Sequence, residues 1–255
     1  MRYRVALLAD IHANVWALEA VLADVRKQGV DVLWNLGDIL HGALKPRATY
    51  DLLRSADIAL TVRGNQDREL YEPNADPRVE WMIRDLGADA IEWLRGLPAT
   101  AVFEDEVLLC HGSPTDDLCY LLEDVTSGHP QVRDEEEIVR LLAGTTQPVI
   151  VCGHTHIPRL VRLANGQTIV NPGSVGLAAY SDDSPVPHAM ENYSPDASYA
   201  IFEKTPSSWD ATFRNVQYDT REASRTAAEL GRSDWAHQIA TGRVAQRQKT
   251  RICEL

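Results

Sequence analysis

Short, largely apolar runs recur along the chain at residues 5–9, 32–36, 58–62, 107–110 and 149–152. Their length and content predict strands. Between the first runs the period lengthens to that of helices. Residues 15–27 put Trp16, Leu18, Val21, Leu22 and Val25 on one inward face, and Gly29 stands where such a helix stops. A helix over 46–55 carries Pro46 in its first turn, where proline is tolerated. Helices over 78–86 and 89–97 place Trp81 and Trp93 at the edge of the core. Residues 99–103 and 107–110 read as antiparallel strands about a Glu104-Asp105 turn. Further on, a helix is predicted over 134–142 and strands over 149–152, 159–163, 168–170, 198–203 and 211–219. Residues 220–241 read as one helix, and Asn165-Gly166 as a hairpin turn. The alternation gives an α/β protein with mixed sheets.

Each of five strands ends on a polar cluster: Asp10-Ile11-His12, Gly37-Asp38, Gly64-Asn65-Gln66-Asp67, His111-Gly112 and Gly153-His154-Thr155-His156. A strand tip followed by a glycine-containing loop is where α/β proteins place reactive side chains. Taken singly the clusters are ordinary, since Gly-Asp and Gly-Asn are common turn dipeptides. Two imidazoles two residues apart at a strand exit say more. All five in order deliver Asp10, His12, Asp38, Asn65, His111, His154 and His156, every one a competent metal ligand. That set suits two adjacent divalent ions sharing one carboxylate.

This ordered set resembles the calcineurin-type metallophosphoesterase superfamily, whose signature runs D-x-H, GD, GNH(D/E), H, GHxH. Within it the chain is similar to the small stand-alone bacterial and archaeal phosphoesterases. His111-Gly112-Ser113-Pro114, Asn171-Pro172-Gly173-Ser174-Val175-Gly176 and a strand-like 213–218 before Asp219 extend the likeness over roughly residues 3–240. These motifs are specific for fold and metal site, not for substrate. The resemblance implies a four-layer αββα sandwich of two mixed β-sheets flanked by helices. It places Asp10, His12 and His156 on one ion and Asn65, His111 and His154 on the other, with Asp38 bridging. Asp38, Asn65 and His111 are carried over as catalytic residues too. Imidazole and carboxylate ligands suit Mn, Fe, Ni or Zn. A pair of ions lowers the pKa of bound water from about 15.7 towards about 7, and the hydroxide attacks phosphorus in line.

The chain departs from the family at Gln66, where the usual histidine can protonate the leaving oxygen. A glutamine amide cannot, and general acid catalysis is worth about 10²–10⁴-fold. The expected activity therefore leans towards phosphodiesters or activated phosphate esters. Rival readings are a phosphomonoester, nucleotide-polyphosphate or protein phosphatase, and a non-catalytic metal-dependent scaffold such as the eukaryotic retromer subunit of this fold. Asp67, without its usual partner, is left to cap or pair locally. Candidate substrate contacts are His41, Arg63 and Gln66. His41 either reaches the cleft or is a surface-loop histidine, and Arg63 either meets phosphate or makes a structural ion pair. Lys45 and Arg47 read as solvated. His129, His188 and His237 have no motif around them.

Composition narrows the partners. With 255 residues, 44% of them hydrophobic, the chain can bury one large core, expected over 1–245 with a frayed tail at 246–255. The net charge of −12 argues against a nucleic-acid-binding face. A small phosphorylated substrate is expected, attracted locally by metal ions and a few arginines. Cys110, Cys119, Cys152 and Cys253 show no paired spacing, which suits a reducing compartment. No leader and no apolar run of membrane-spanning length is seen, so no membrane partner is expected and the expected location is cytoplasmic. Two stretches read as loops: 113–132, and a polar, proline-bearing insert at 178–197. The insert is longer than the family's usual link and is either mobile or functional.

Overall fold

Alternate residues of the first strand, β1 (Arg4–Leu8), face two different cores. Val5 and Leu7 point into an apolar layer between two sheets, while Ala6 and Leu8 point into a layer of helices, as the two-residue period of a strand requires. The structure is a computed structural model that describes residues 3–56, 58–73, 76–206 and 208–245. The expected tail at 246–255 lies outside the described residues.

After β1 the chain alternates: α1 (Val15–Gln28), β2 (Val32–Asn35), α2 (Pro46–Arg54), β3 (Ile58–Thr61), then α3 (Asn65–Glu69), α4 (Pro77–Leu86) and α5 (Ala88–Arg95). The second half adds β4 (Thr100–Phe103), β5 (Val107–Cys110), β6 (Glu123–Asp124), β7 (Gln131–Val132), α6 (Glu135–Leu141), β8 (Val149–Val151), β9 (Arg159–Arg162) and β10 (Thr168–Asn171). It closes with β11 (Ala179–Asp182), β12 (His188–Glu191), β13 (Ala197–Lys204), β14 (Trp209–Val216), α7 (Thr220–Glu229) and α8 (Ser233–Thr241).

One sheet has the order β14-β13-β1-β2-β3, with β1, β2 and β3 parallel and β13 and β14 antiparallel. The other has the order β4-β5-β8-β10-β9, with β5, β8 and β10 parallel and an antiparallel strand on each edge. Leu7, Trp34, Leu36 and Phe202 of the first sheet meet Val107, Leu109, Val151 and Val170 of the second. The outer face of the first sheet packs on α1, α2, α4 and α5 through Leu18, Leu53, Met82 and Leu94. The outer face of the second packs on α6 through Ile138. These are the four layers expected. Among the described residues no helix is long and apolar enough to cross a membrane.

Four local expectations change. The 113–132 loop holds the β6-β7 pair, and the 178–197 insert is a hairpin, with Ala179 opposite Glu191 and Asp182 opposite His188. The long helix at 220–241 is two helices, α7 and α8, because Gly231 takes a left-handed φ of 78° between them. Trp16 is only half-buried and packs with Trp235 and Ile239 of α8, not with the inward face of α1.

Candidate metal centre

All the polar clusters emerge at the carboxyl ends of parallel strands: β1, β2 and β3 in one sheet, β5 and β8 in the other. Backbone bonds knit these loops together, with Asp10 N donating to Gly37 O and His12 N to Asp38 O, both at 3.0 Å. Asp10, His12, Asp38, His154 and His156 have φ of 54°, 50°, 53°, 70° and 60°. That left-handed region costs an ordinary residue about 1–2 kcal/mol. Such strain persists only where the surroundings over-determine it, and it clusters at functional sites.

The seven side chains converge. Asp10, His12 and His156 form one group whose ligand atoms all lie within 4.8 Å of one another, and Asp38, His111 and His154 form a second. Asn65 Oδ1 joins the second group, 3.1 Å from His111 Nε2. Asp38 Oδ2 faces both groups, 3.4 Å from His111 Nε2 and 4.0 Å from His12 Nε2. Its Oδ1 accepts from Gln66 N at 3.0 Å.

The donor set fits cations. Nδ1 of His12, His111 and His156 lies 3.2, 2.8 and 2.6 Å from the carbonyls of His41, Leu36 and Leu177. A carbonyl only accepts, so in each ring Nδ1 carries the proton and Nε2 of the neutral ring is a free lone pair. The lone pairs of His12 and His156 then face each other across 3.0 Å. Asp10 Oδ1, fully buried and without a donor, lies 3.4 Å from His156 Nε2. Acceptors packed this closely call for positive charge between them. His154 is turned the other way: its Nε2 donates to Leu118 O at 3.2 Å, which leaves Nδ1 as its basic nitrogen.

Two of the imidazoles are held neutral, whereas His111 is held protonated by the carboxylates, so a cation would have to displace its Nε2 proton to bind there. Burial and His156 push His12 down to about 4, and burial and His111 push His154 down to about 4. Burial also disfavours the charged form of His111, but Asp38 and Asp10 outweigh it and raise His111 to about 10. Burial opposes ionisation of Asp38 and Asp10, yet the neighbouring imidazoles hold both below the usual carboxylate range. Asp67 accepts from Gly64 N and Ile39 N, each at 2.9 Å, so it caps locally as expected. Burial and Asp38 raise it to about 7.

A cavity of about 510 Å³ opens over these residues. His41 and Gln66, two of the three candidate substrate contacts, are among its lining residues. Arg63 is not among its lining residues; it stands 3.6 Å from Asp117, the ion-pair alternative. Arg47 is likewise paired, with Asp51 and Asp89. The cavity also has Tyr120, Arg133, Tyr180 and Arg232 in its walls. No motif marks these four in the sequence. His188, set aside for the same reason, is buried 3.1 Å from the Tyr120 hydroxyl.

A family model described as the calcineurin-like phosphoesterase superfamily domain matches residues 3–190. The crystal structure of a metallophosphoesterase from Sphaerobacter thermophilus is similar over 94% of this chain and 99% of that one, with 26% identity and a TM-score of 0.72. A protein of Methanocaldococcus jannaschii, itself uncharacterised, is 23% identical over 260 residues, which span 91% of this chain and 94% of the other. A putative diadenosine tetraphosphatase shares the fold at a TM-score of 0.50 and 18% identity, over 83% of this chain and 93% of that one.

Proposed function

The chain belongs to the calcineurin-like phosphoesterase superfamily, and from that membership we propose that it hydrolyses small phosphate esters with two divalent ions held by the seven converging residues. The observation that carries this reading is the inward-facing set of lone pairs and carboxylates, with Asp38 directed at both groups. Asp10, His12 and His156 would hold one ion, Asn65, His111 and His154 the other, and Asp38 both. Mn, Fe, Ni and Zn all match these ligand types. When bound, the pair supplies a hydroxide nucleophile at neutral pH and a clamp for phosphoryl oxygens.

The remaining work falls to the protein. Carbonyl partners at Nδ1 hold three imidazoles in the tautomer and orientation that a ligand needs. Gln66 N orients the Asp38 carboxylate. Asn65 contributes a neutral oxygen, so the centre keeps more of its positive charge. The cavity volume falls in the range of small-molecule sites, about 300–1,000 Å³, and favours a small phosphorylated substrate over a folded phosphoprotein.

Gln66 cannot donate a proton to the leaving oxygen, which favours phosphodiesters and activated esters over alkyl monoesters. One observation favours a second reading of this step. His41 shares the cavity wall with Gln66, and its buried Nδ1 has no partner. Its Nε2 lies 3.6 Å from Glu69; burial lowers its pKa and so disfavours the protonated ring, which leaves position and not titration as the support for this reading. His41 is thus the candidate acid. The complete ligand set argues against a scaffold without activity. Assays of metal-loaded and chelator-treated protein on 4-nitrophenyl diesters and monoesters test the proposal. Equal inactivity on both, with metal bound, would leave the scaffold reading standing.

A further inference from the structure

The insert at 178–197 lies against the metal centre, and its bonds fall on two of the seven residues. The Tyr180 hydroxyl in β11 donates to His154 O at 3.2 Å, and the Tyr180 ring stands edge-on to the His156 imidazole, centroids 4.6 Å apart. Asn192, just after β12, donates through Nδ2 to His156 O and to Ala178 O, both at 2.9 Å. The main-chain carbonyls of His154 and His156 are therefore held by this insert. His188 of β12 adds a further contact through Tyr120, whose ring packs 4.9 Å from that of His154. The hairpin is anchored in turn beyond α8, where Tyr193 N donates to Gly242 O at 3.0 Å and Val244 N to Glu191 at 2.8 Å.

We propose that the β11-β12 hairpin is a clamp that holds His154 and His156 in ligand geometry, with Tyr180 and Asn192 as positioning residues. The clamp rests on the two-ion reading above. Left-handed backbone at a non-glycine residue relaxes unless its peptide groups are tied; Asp10 ties the His154 N–H at 3.1 Å, and the carbonyl ties on both histidines come from a segment outside the family motifs. His154 and His156 belong to different ion groups. Loss of the Tyr180 hydroxyl therefore weakens one ion, and loss of the Asn192 amide the other. Outer partners of metal ligands are worth about 10–100-fold in metal affinity.

The test is a cobalt titration of metal-stripped protein, followed by the visible absorption of the bound ion. The natural protein is expected to show two binding events. Tyr180→Phe keeps the ring and removes only the hydroxyl; it should weaken one event by about 10–100-fold. Asn192→Ala should weaken the other to a similar extent. Tyr193→Phe, at a tyrosine 59% exposed on the same insert, should match the natural protein. Thermal melts of the stripped variants check that the fold is kept, and the isosteric Tyr180→Phe carries the test alone should Asn192→Ala fail to fold. Wild-type cobalt affinity in both variants would overturn the clamp while leaving the centre intact. Absence of cobalt binding by the natural protein would overturn centre and clamp together.

Discussion

Gly64 stands so close to Asp38 that a Cβ at position 64 would lie 2.1 Å from Asp38 Oδ1 and 2.5 Å from its backbone nitrogen. Gly64 has a φ of −96°, open to any residue, so the glycine is required for space and not for conformation. Gly64→Ala must displace either the carboxylate or the loop carrying Asn65. A shift of about 1 Å at a reacting centre costs about 100-fold in rate. That loss is expected in metal-dependent hydrolysis, together with a lowered melting temperature, because the Asp38 backbone must also give way. Unchanged turnover would show that Asp38 does not stand where the chemistry happens.

The second prediction concerns Gln66. Without a general acid, negative charge builds on the leaving oxygen, so the rate should fall steeply as leaving-group pKa rises. Gln66→His should rescue alkyl leaving groups, within the roughly 10²–10⁴-fold worth of acid catalysis. The gain should sit at the low end, because the Asp67 carboxylate is already committed to Gly64 N and Ile39 N and is not free to orient an imidazole. A series of substituted esters measured on both proteins decides this. A shallow dependence that steepens in His41→Ala would identify His41 as the acid.

Asp24 gives a prediction in pH. It accepts from the Tyr199 hydroxyl at 2.7 Å and from Arg214 at 3.0 Å, tying α1 to β13 and β14. Burial raises its pKa, but Tyr199 and Arg214 outweigh burial and the net shift is downward. A folded pKa below the unfolded one means stability that is fully present above about pH 4 and lost as pH falls through the folded value. Asp24→Asn should cost about 1 kcal/mol at pH 7 and less at pH 3. Urea unfolding of both proteins at the two pH values measures the difference. A gap that stays constant with pH would rule out the ionised carboxylate as its source.

The seven central residues are legible in the sequence because each sits at the end of an apolar run, where strand length alone places it. The two-sheet core is legible for the same reason: Val5 and Leu7 alternate with Ala6 and Leu8. What holds the centre is not. The left-handed backbone at Asp10, His12, Asp38, His154 and His156 appears only in the torsions. Tyr180 reaches the histidines from β11 and Asn192 from just after β12, in a hairpin whose polar sequence carries no motif. Arg133 and Arg232 both line the cavity from segments far apart in the chain. The apolar period that runs through 220–241 hides the break at Gly231, and α3 is too short to show a period at all. Arg63 offers a charge beside the motif, but only the fold shows Asp117 waiting for it.

The most direct test of the two-ion site is the rate of bis(4-nitrophenyl) phosphate hydrolysis as manganese is returned to metal-stripped protein. Stripped protein should be inactive, and the rate should rise with manganese and level off at two ions per chain, as a shared two-metal clamp requires. Asp38→Ala in the same titration should stay inactive throughout. Turnover that survives stripping, a plateau at one ion per chain, or full turnover by Asp38→Ala would contradict a centre built on Asp38.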